Sequence, residues 1–212
     1  GLRSHEALGE GGFLVDLEEN VIILSAATVS SLNKGRLAVY DITSGGRLCE
    51  FNPDDNPDFP YQGIRRQFHY TGGKIYGSFN YHASQPDLRG LCVVDVASGI
   101  ITYQRPSYAT LDDYELRSLC AGPDGKLVVS AYGYGIALYD PVSYSWELFS
   151  SDNIPAMTPD SREKFLPVAY DSAGEFIFAG AIYGSSDWTG VIMFSAYGFI
   201  QQANYSVGTW SG

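Results

Sequence analysis

Carboxylates are the side chains of this sequence whose spacing comes nearest to a catalytic or metal-binding pattern. The segment 52–58 reads NPDDNPD, which has the composition of a calcium loop. It lacks the alternating Asp-x-Asp-x-Asp-Gly spacing that places oxygen ligands around Ca²⁺, and its two prolines stiffen the chain. The adjacent pair Asp112-Asp113 could supply the two acids of a glycoside hydrolase, which must lie roughly 5–10 Å apart. We expect both segments to be solvated loops, with no bound metal or other cofactor.

The remaining ligand and nucleophile types are scattered along the chain. The three histidines, His5, His69 and His82, are too far apart in sequence to suggest a metal cluster. The tripeptide GSS at 184–186 does not have the strand–turn–helix context of a hydrolase nucleophile. The sequence therefore predicts no catalytic residue.

Cysteine usage excludes two common kinds of small scaffold. Cys49, Cys92 and Cys120 are odd in number and in no C-x-x-C spacing, which excludes a disulfide framework and a zinc ribbon. Each lies inside an apolar run, so we expect free thiols that act as small hydrophobic residues.

Composition and charge narrow the class of partner. The 212 residues are 45% hydrophobic and 17% charged, with a net charge of −11, which suits a folded core and an acidic surface. Nucleic-acid binding needs a basic stripe, and the sequence offers only Arg65-Arg66. An acidic surface also disfavours anionic membranes, and no run approaches the roughly 20 apolar residues of a membrane span. We therefore expect neither a nucleic-acid partner nor membrane insertion.

The elements that must position any site come from an internal repeat. LAVYDITSGGRLCEF (37–51) returns as LCVVDVASGIITYQ (91–104) and as IALYDPVSYSWELF (136–149). Each copy is an apolar run ending in Asp, then a small polar turn, then a second alternating run. Asp41 and Asp95 can accept backbone N–H groups of the turn that follows them. Tight-turn signals ending at Asn20, Gly73, Gly125 and Gly174 repeat about every 50 residues.

Each repeat unit is predicted to contain four antiparallel strands. In the third unit these are ELRSLCA, KLVVSAY, IALYD and SWELF, with no helical periodicity of useful length. Repeating four-stranded units of this size indicate an all-β fold, a β-propeller of about four blades. The predicted organisation is an N-terminal segment 1–12, then propeller blades over 13–207, then a tail 208–212. The blades lie approximately at 13–52, 64–104, 115–149 and 166–207.

The third-to-fourth-strand phrases LAVYDITSGGRLCEF and LCVVDVASGIITYQ resemble the outer hairpin of WD-repeat and YVTN-type propeller blades. That resemblance implies the propeller fold and names no function. The sequence lacks the Gly-His and Trp-Asp dipeptides of true WD repeats, so the side-chain network of that family is not carried over.

The four units are compatible with two arrangements. Four units can form a compact four-bladed ring, or they can be a segment of a larger propeller cut at blade boundaries. We favour the hypothesis of a segment, because no predicted blade combines strands from the two ends of the chain. Such a segment would expose strand edges and would need partners, as an oligomer or within a larger assembly.

Antiparallel order separates the connections onto two rims. The first-to-second and third-to-fourth strand connections share one rim and are all tight turns. The other rim carries every long loop, and binding residues concentrate on long loops of a rigid scaffold. These loops are 27–35, 52–63, 82–90, 105–114, 150–165 and 184–190.

This second rim combines aromatic rings with carboxylates, which suits sugars and protein interfaces alike. The candidate binding residues are Asp54, Asp55, Asp58, Phe59, Tyr61, Tyr81, His82, Asp87, Tyr108, Asp112, Asp113, Tyr132, Tyr134, Asp152, Asp187 and Trp188.

Two functions of different class follow. The first is a non-catalytic binding or assembly module for a glycan or a protein, in an extracellular or viral (tail or adhesion) assembly. The second is a propeller glycosidase or lyase that uses paired rim carboxylates, one with a raised pKa. An extracellular or virion-associated location is expected over a nuclear or membrane one.

Overall fold

The computed structural model describes residues 11–27, 34–79, 85, 88–106, 116–131, 135–149, 165–171, 176–181, 190–195 and 201–206. These residues form four four-stranded antiparallel sheets, each with its strands in chain order. The all-β class and the β-propeller built of four-stranded blades are therefore confirmed. The chain divides into two compact units, 1–105 and 106–212.

The first unit holds two blades. Blade 1 consists of β1 (Gly12–Asp16), β2 (Val21–Ala26), β3 (Arg36–Asp41) and β4 (Arg47–Phe51). Blade 2 consists of β5 (Ile64–Thr71), β6 (Lys74–Phe79), β7 (Leu91–Asp95) and β8 (Ile101–Gln104).

The second unit holds the other two blades. Blade 3 consists of β9 (Leu116–Ala121), β10 (Leu127–Ala131), β11 (Gly135–Tyr139) and β12 (Trp146–Phe149). Blade 4 consists of β13 (Phe165–Asp171), β14 (Phe176–Ala181), β15 (Gly190–Ser195) and β16 (Gln201–Ser206). A single 3₁₀ turn, Pro123–Gly125, joins β9 to β10.

Turn chemistry sets the register of each hairpin. The β5–β6 turn has two residues, Gly72 and Gly73, with φ of +57° and +73°. Two positive φ values match the right-handed twist of the flanking strands, and glycine adopts them at no steric cost. Asn20 and Asp124 occupy the same left-handed region in two of the other turns, as short polar residues can.

The core of the first unit lies between its two sheets. Blade 1 contributes Ile23, Leu37, Val39 and Phe51, which occupy one face because paired residues of antiparallel strands point to the same side. Blade 2 contributes the facing set of buried side chains, Ile64, Phe68, Tyr70, Ile75, Phe79, Cys92 and Val94. Alternation along each strand thus gives each blade two faces. In the first unit, one face of blade 1 packs against one face of blade 2.

The inner strands carry the closest approach between sheets. In the first unit β5 packs against β1 and β2, and in the second β13 packs against β9 and β10. Ser25 donates its hydroxyl to the carbonyl of Ile64, which ties blade 1 to blade 2. A Cβ added to Gly77 would overlap the side chain of Ile64. The small residues of these two second strands therefore allow the close packing of blade 1 on blade 2.

The cysteines are free thiols, as predicted. Cys92 is buried, and burial raises the pKa of its thiol to about 12. Cys49 and Cys120 are only partly buried. In the part of the chain that the structure describes, no helix has the length and apolar character needed to cross a membrane.

Candidate functional site

The candidate site in the first unit is the loop 52–63, which connects β4 to β5 across the long-loop rim. We use "long-loop rim" for the edge of this unit that carries the connections 27–35, 52–63 and 80–90. Every residue of the loop 52–63 is described, whereas of the other two connections the structure describes 27, 34–35, 85 and 88–90.

Asn52 folds the start of this loop. Its side-chain oxygen accepts hydrogen bonds from the backbone N–H groups of Asp54 at 2.9 Å and Asp55 at 3.1 Å. Its amide group donates to Asp55 Oδ2 at 2.6 Å, and its own carbonyl accepts from Asn56 N at 2.8 Å. The local pattern is an Asx turn, which explains how the proline- and aspartate-rich stretch holds its backbone conformation.

Phe59 anchors the middle of the loop in the core. Its side chain is 0% exposed, and its ring stacks on Phe51 with ring centroids 6.4 Å apart. The sequence placed Phe59 among the surface aromatics of the rim. The structure instead places it in the core, because a loop of this length needs a buried apolar group to hold it against the sheets.

Gln85 fastens the loop from the neighbouring connection. Its oxygen accepts from Tyr61 N at 2.6 Å, and its Nε2 donates to the carbonyls of Pro57 at 2.9 Å and Phe59 at 2.8 Å. Three hydrogen bonds from one side chain fix the backbone of 57–61.

Tyr103 of β8 adds a second fastening. Burial raises the pKa of Tyr103, so the phenol stays protonated and donates to the carbonyl of Asp58. The tyrosine ring is itself held edge-on by Phe79, with centroids 5.4 Å apart. The loop backbone is therefore anchored to blade 2 at several points.

The anchored loop presents carboxylates to solvent. Asp54, Asp55 and Asp58 are exposed, and Tyr61 is half-buried. Lys34 forms an ion pair with Asp54, which raises the pKa of the lysine, and its Nζ lies 5.9 Å from the centroid of the Tyr61 ring. This distance is within the range of a cation–π contact. The surface of this loop is thus acidic, and the ammonium group of Lys34 lies over the ring of Tyr61.

This arrangement presents negative charge and hydrogen-bond acceptors to solvent. Among the residues that the structure describes, no three His, Cys, Asp or Glu side chains are placed to hold a metal ion. The exposed carboxylates can accept hydrogen bonds from cationic groups or hydroxyls of a partner. The rigid backbone beneath them lowers the ordering cost of such contacts.

Five predicted site residues, Asp54, Asp55, Asp58, Phe59 and Tyr61, can be placed, and all belong to this one loop. The first three are exposed, and Lys34 lies next to both Asp54 and Tyr61. The others lie outside the described residues: Tyr81, His82, Asp87, Tyr108, Asp112, Asp113, Tyr132, Tyr134, Asp152, Asp187 and Trp188. The glycosidase pair Asp112-Asp113 is among them, so its geometry stays a prediction.

Sequence reasoning missed the residues that hold the loop in place. Lys34, Asn52, Gln85 and Tyr103 were not singled out, although each bonds to the loop or begins it. For Asn52 a signal existed, since Asn followed by Pro-Asp-Asp is typical of an Asx turn. Gln85 bonds to residues 24 to 28 positions away, and no local pattern reports such a contact.

Comparison with known proteins shows the fold and no more. No protein-family model matches the chain, and no curated protein matches it. Among solved structures, it is similar to Kuenenia stuttgartiensis hydrazine synthase, with 13% identity, a TM-score of 0.62, and coverage of 98% of this chain and 52% of that one.

Two further solved structures are similar to about the same degree. An auxiliary nutrient binding protein from Bacteroides thetaiotaomicron has 11% identity and a TM-score of 0.58, with 94% of this chain and 42% of that chain covered. PorZ, a surface component of the type-IX secretion system of Porphyromonas gingivalis, has 14% identity and a TM-score of 0.59, with 84% and 24% covered. Across these and other matched structures the chain spans between 21% and 57% of the solved chain. At such identities the likeness establishes that this chain has the fold of these proteins, without assigning it to a family.

Proposed function

We propose that this chain is a non-catalytic binding module, and that its long-loop rim binds a protein or glycan partner. The observation that carries the proposal is the loop 52–63, whose backbone is anchored by Phe59 and Gln85 while its carboxylates stay exposed. The backbone of this loop is held by hydrogen bonds within the chain, and its charged side chains remain in solvent. Such a loop is suited to binding a partner.

A protein partner with basic residues is favoured over a glycan by the described part of the rim. Sugar recognition uses the open face of an aromatic ring for stacking. Lys34 lies over the ring of Tyr61, the aromatic side chain that this loop exposes, so stacking there would require the lysine to move. The carboxylates of Asp54 and Asp58 instead suit lysine or arginine groups.

Similarity to a binding protein and to a surface component supports a binding or assembly role. The nutrient binding protein and PorZ are a binding protein and a surface component by their own descriptions. An extracellular or virion-associated site of action for this chain belongs to the proposal.

The blades are assigned to the WD-repeat or YVTN type as part of the same proposal. Support comes from the third-to-fourth-strand turns, in which Asp41, Asp95 and Asp140 each accept backbone N–H groups of the turn. Propellers of this kind place variable loops on a repeated scaffold.

The test compares two charge-matched double variants. Asp54→Asn with Asp58→Asn removes two charges from the loop rim, and Glu18→Gln with Glu19→Gln removes two from the exposed β1–β2 turn on the opposite rim. The wild-type chain is screened against a displayed random-peptide library and against a glycan array. Peptides rich in Lys and Arg are expected, and the loop-rim variant should bind them about tenfold more weakly, while the turn variant is unaffected.

Two outcomes would contradict the proposal. If both double variants retain wild-type binding, the loop rim is not the binding surface. If neither library yields a ligand, the chain is not a binding module for peptides or glycans. Binding confined to the glycan array, and lost in the loop-rim variant, would retain the surface and replace the protein partner by a sugar.

A further inference from the structure

One face of blade 1 is apolar and uncovered, and it differs from the surface proposed above. Phe13 is 74% exposed and Val15 is 48% exposed, although both lie inside a strand. They pair with Leu24 and Ile22 of β2, and these pair in turn with Ala38 and Tyr40 of β3. We define the free face of blade 1 as Phe13, Val15, Ile22, Leu24, Ala38 and Tyr40. A contiguous apolar sheet face in solvent marks an interaction site.

The equivalent face of blade 2 is covered by a neighbouring blade. The closing pairs of the two first hairpins, Asp16 with Val21 and Thr71 with Lys74, align the blades residue by residue. By this alignment Phe13 corresponds to Phe68, and Val15 corresponds to Tyr70. In blade 2 these positions are each only 7% exposed, because they pack on blade 1.

The same alignment extends across the sheet. Ile22 corresponds to Ile75, and Tyr40 corresponds to Val94, and both of the blade 2 residues are 0% exposed. The free face of blade 1 is therefore the repeat of a face that, one blade later, is covered by a neighbouring blade. Blade 1 covers blade 2 with the side chains of Ile23, Leu37 and Val39. A blade that covers the free face of blade 1 in the same way should carry apolar side chains at the equivalent positions.

Blade 4 carries apolar residues at those register positions. Its closing pair, Asp171 with Phe176, aligns Phe178 with Ile23. Along β15 the pairing aligns Val191 with Leu37 and Met193 with Val39. The chain thus encodes both the receiving face, on blade 1, and a sequence for the inserting face, on blade 4.

We propose that the free face of blade 1 binds blade 4 of a second copy of this chain, packed as blade 1 packs on blade 2. The contact is heterologous, since two different surfaces meet, and repetition of it produces a closed ring or a filament of copies. Glu50 lies at the edge of the face and is paired within the sheet to Arg36 and Arg47, so among the strand residues that the structure describes in blade 1 this carboxylate does not oppose the contact.

The first experiment measures the mass of the wild-type chain in solution by sedimentation velocity over the micromolar range. Phe13→Glu places a charge on the free face, in its edge strand β1, and the exposure of Phe13 means that the core is not disturbed. Val142→Glu is the matched control, because Val142 is 86% exposed, lies in the β11–β12 turn and is no part of that face. Circular dichroism verifies that both variants are folded.

The wild-type chain and Val142→Glu are expected to self-associate, and Phe13→Glu should do so at least about tenfold more weakly. A wild-type chain that is monomeric throughout this range would overturn the proposal. Equal self-association of Phe13→Glu and Val142→Glu would overturn it as well.

A mixing experiment, which leaves blade 4 unaltered, tests whether the contact joins two different surfaces or two copies of the blade 1 face. A tagged Phe13→Glu chain keeps its blade 4 face, so it should capture wild-type chains through their intact blade 1 and should fail to capture untagged Phe13→Glu. Contact between two copies of the blade 1 face would instead weaken capture of the wild type. That result would overturn the assignment to blade 4.

Discussion

At the scale of single residues, the aspartates that follow or end the third strands serve the turns. Asp41, Asp95 and Asp140 accept backbone hydrogen bonds from Ser44, Ser98 and Val142 at 2.6, 2.9 and 2.8 Å. Hydrogen bonds from serine residues in the turn are the leading cause that lowers the pKa of each aspartate. They are therefore carboxylates at neutral pH that hold hairpins closed, and a proton donor in catalysis would need the opposite shift.

His69 in β5 gives the residue-scale prediction. Burial lowers the pKa of His69 below its ordinary value, and the charge of Asp16 opposes part of that effect. The unfolded chain then binds a proton more readily than the folded chain below about pH 6.5. Stability should be complete above that pH and should be lost progressively as the pH falls towards the lower pKa of the folded state. The measurement is the melting temperature between about pH 8 and pH 5.

His69→Gln separates this histidine from other titrating groups. The variant should have a flatter dependence of melting temperature on pH over the same interval. An unchanged slope in His69→Gln would show that burial of His69 does not contribute to the pH dependence.

Sequence reasoning succeeded at this scale where the determinant is local. The Asp-ended runs predicted turn-closing carboxylates, and Asp41 and Asp95 close their turns within three residues. It was wrong for Phe59, which resembles a surface aromatic in a polar loop and is fully buried. Whether a loop aromatic faces solvent depends on the sheets beneath it, which the residues around it do not specify.

At the scale of elements, period-two alternation and turn residues determine the blades. Strands such as Val21–Ala26 alternate between buried and half-buried residues. The sequence of this strand, VIILSA, is a continuous apolar run, so the strand was readable from it and the choice of buried face was not. The path of the loop 52–63 was not readable, because it depends on Gln85 and Tyr103 from other connections and strands. Hydrogen bonds between distant segments leave no periodic signal.

Two glycines show how closely the loop and strands of the first unit approach. The N–H of Gly35 donates to the carbonyl of Tyr61 at 2.8 Å. A Cβ added to Gly35 would overlap the backbone of Gln62 and Gly63, and Gly63 itself has a φ of +81°. Backbone atoms cannot move aside as a flexible side chain can, so the contact permits only glycine at position 35.

Gly35→Ala is therefore expected to destabilise the chain by about 1–3 kcal/mol, since the added methyl group must displace backbone. Gly46→Ala is the matched control, because its Cβ would meet Ser44 Oγ at 3.2 Å, the end of a side chain that can rotate. Urea denaturation of both variants measures the free energy of unfolding. Equal values for the two variants would contradict the close approach of Gly35 and Gly63.

At the scale of the whole molecule, the repeat explains why the fold could be predicted and the partner could not. Each blade repeats the same alternation, so one hairpin such as 37–51 predicts the others. The residues that differ most between blades lie in loops of unequal length and sequence, and the repeat carries no information about what those loops contact. Repetition also identifies the free face of blade 1, because Phe68 and Tyr70 show the equivalent positions in their covered state.

The two proposed surfaces should respond to salt in opposite directions, which is the final prediction. Two copies of this chain, each with a net charge of −11, repel one another, and their apolar contact gains nothing from ion pairs. Self-association should therefore tighten as NaCl is raised from low to physiological concentration, by about two- to tenfold. Binding of a lysine-rich peptide to Asp54 and Asp58 should weaken over the same interval, because salt screens that attraction. Sedimentation velocity measures the first response, and fluorescence anisotropy of a labelled peptide measures the second. Self-association that weakens with salt would mean that ion pairs hold the copies together, contrary to an apolar contact at Phe13 and Val15.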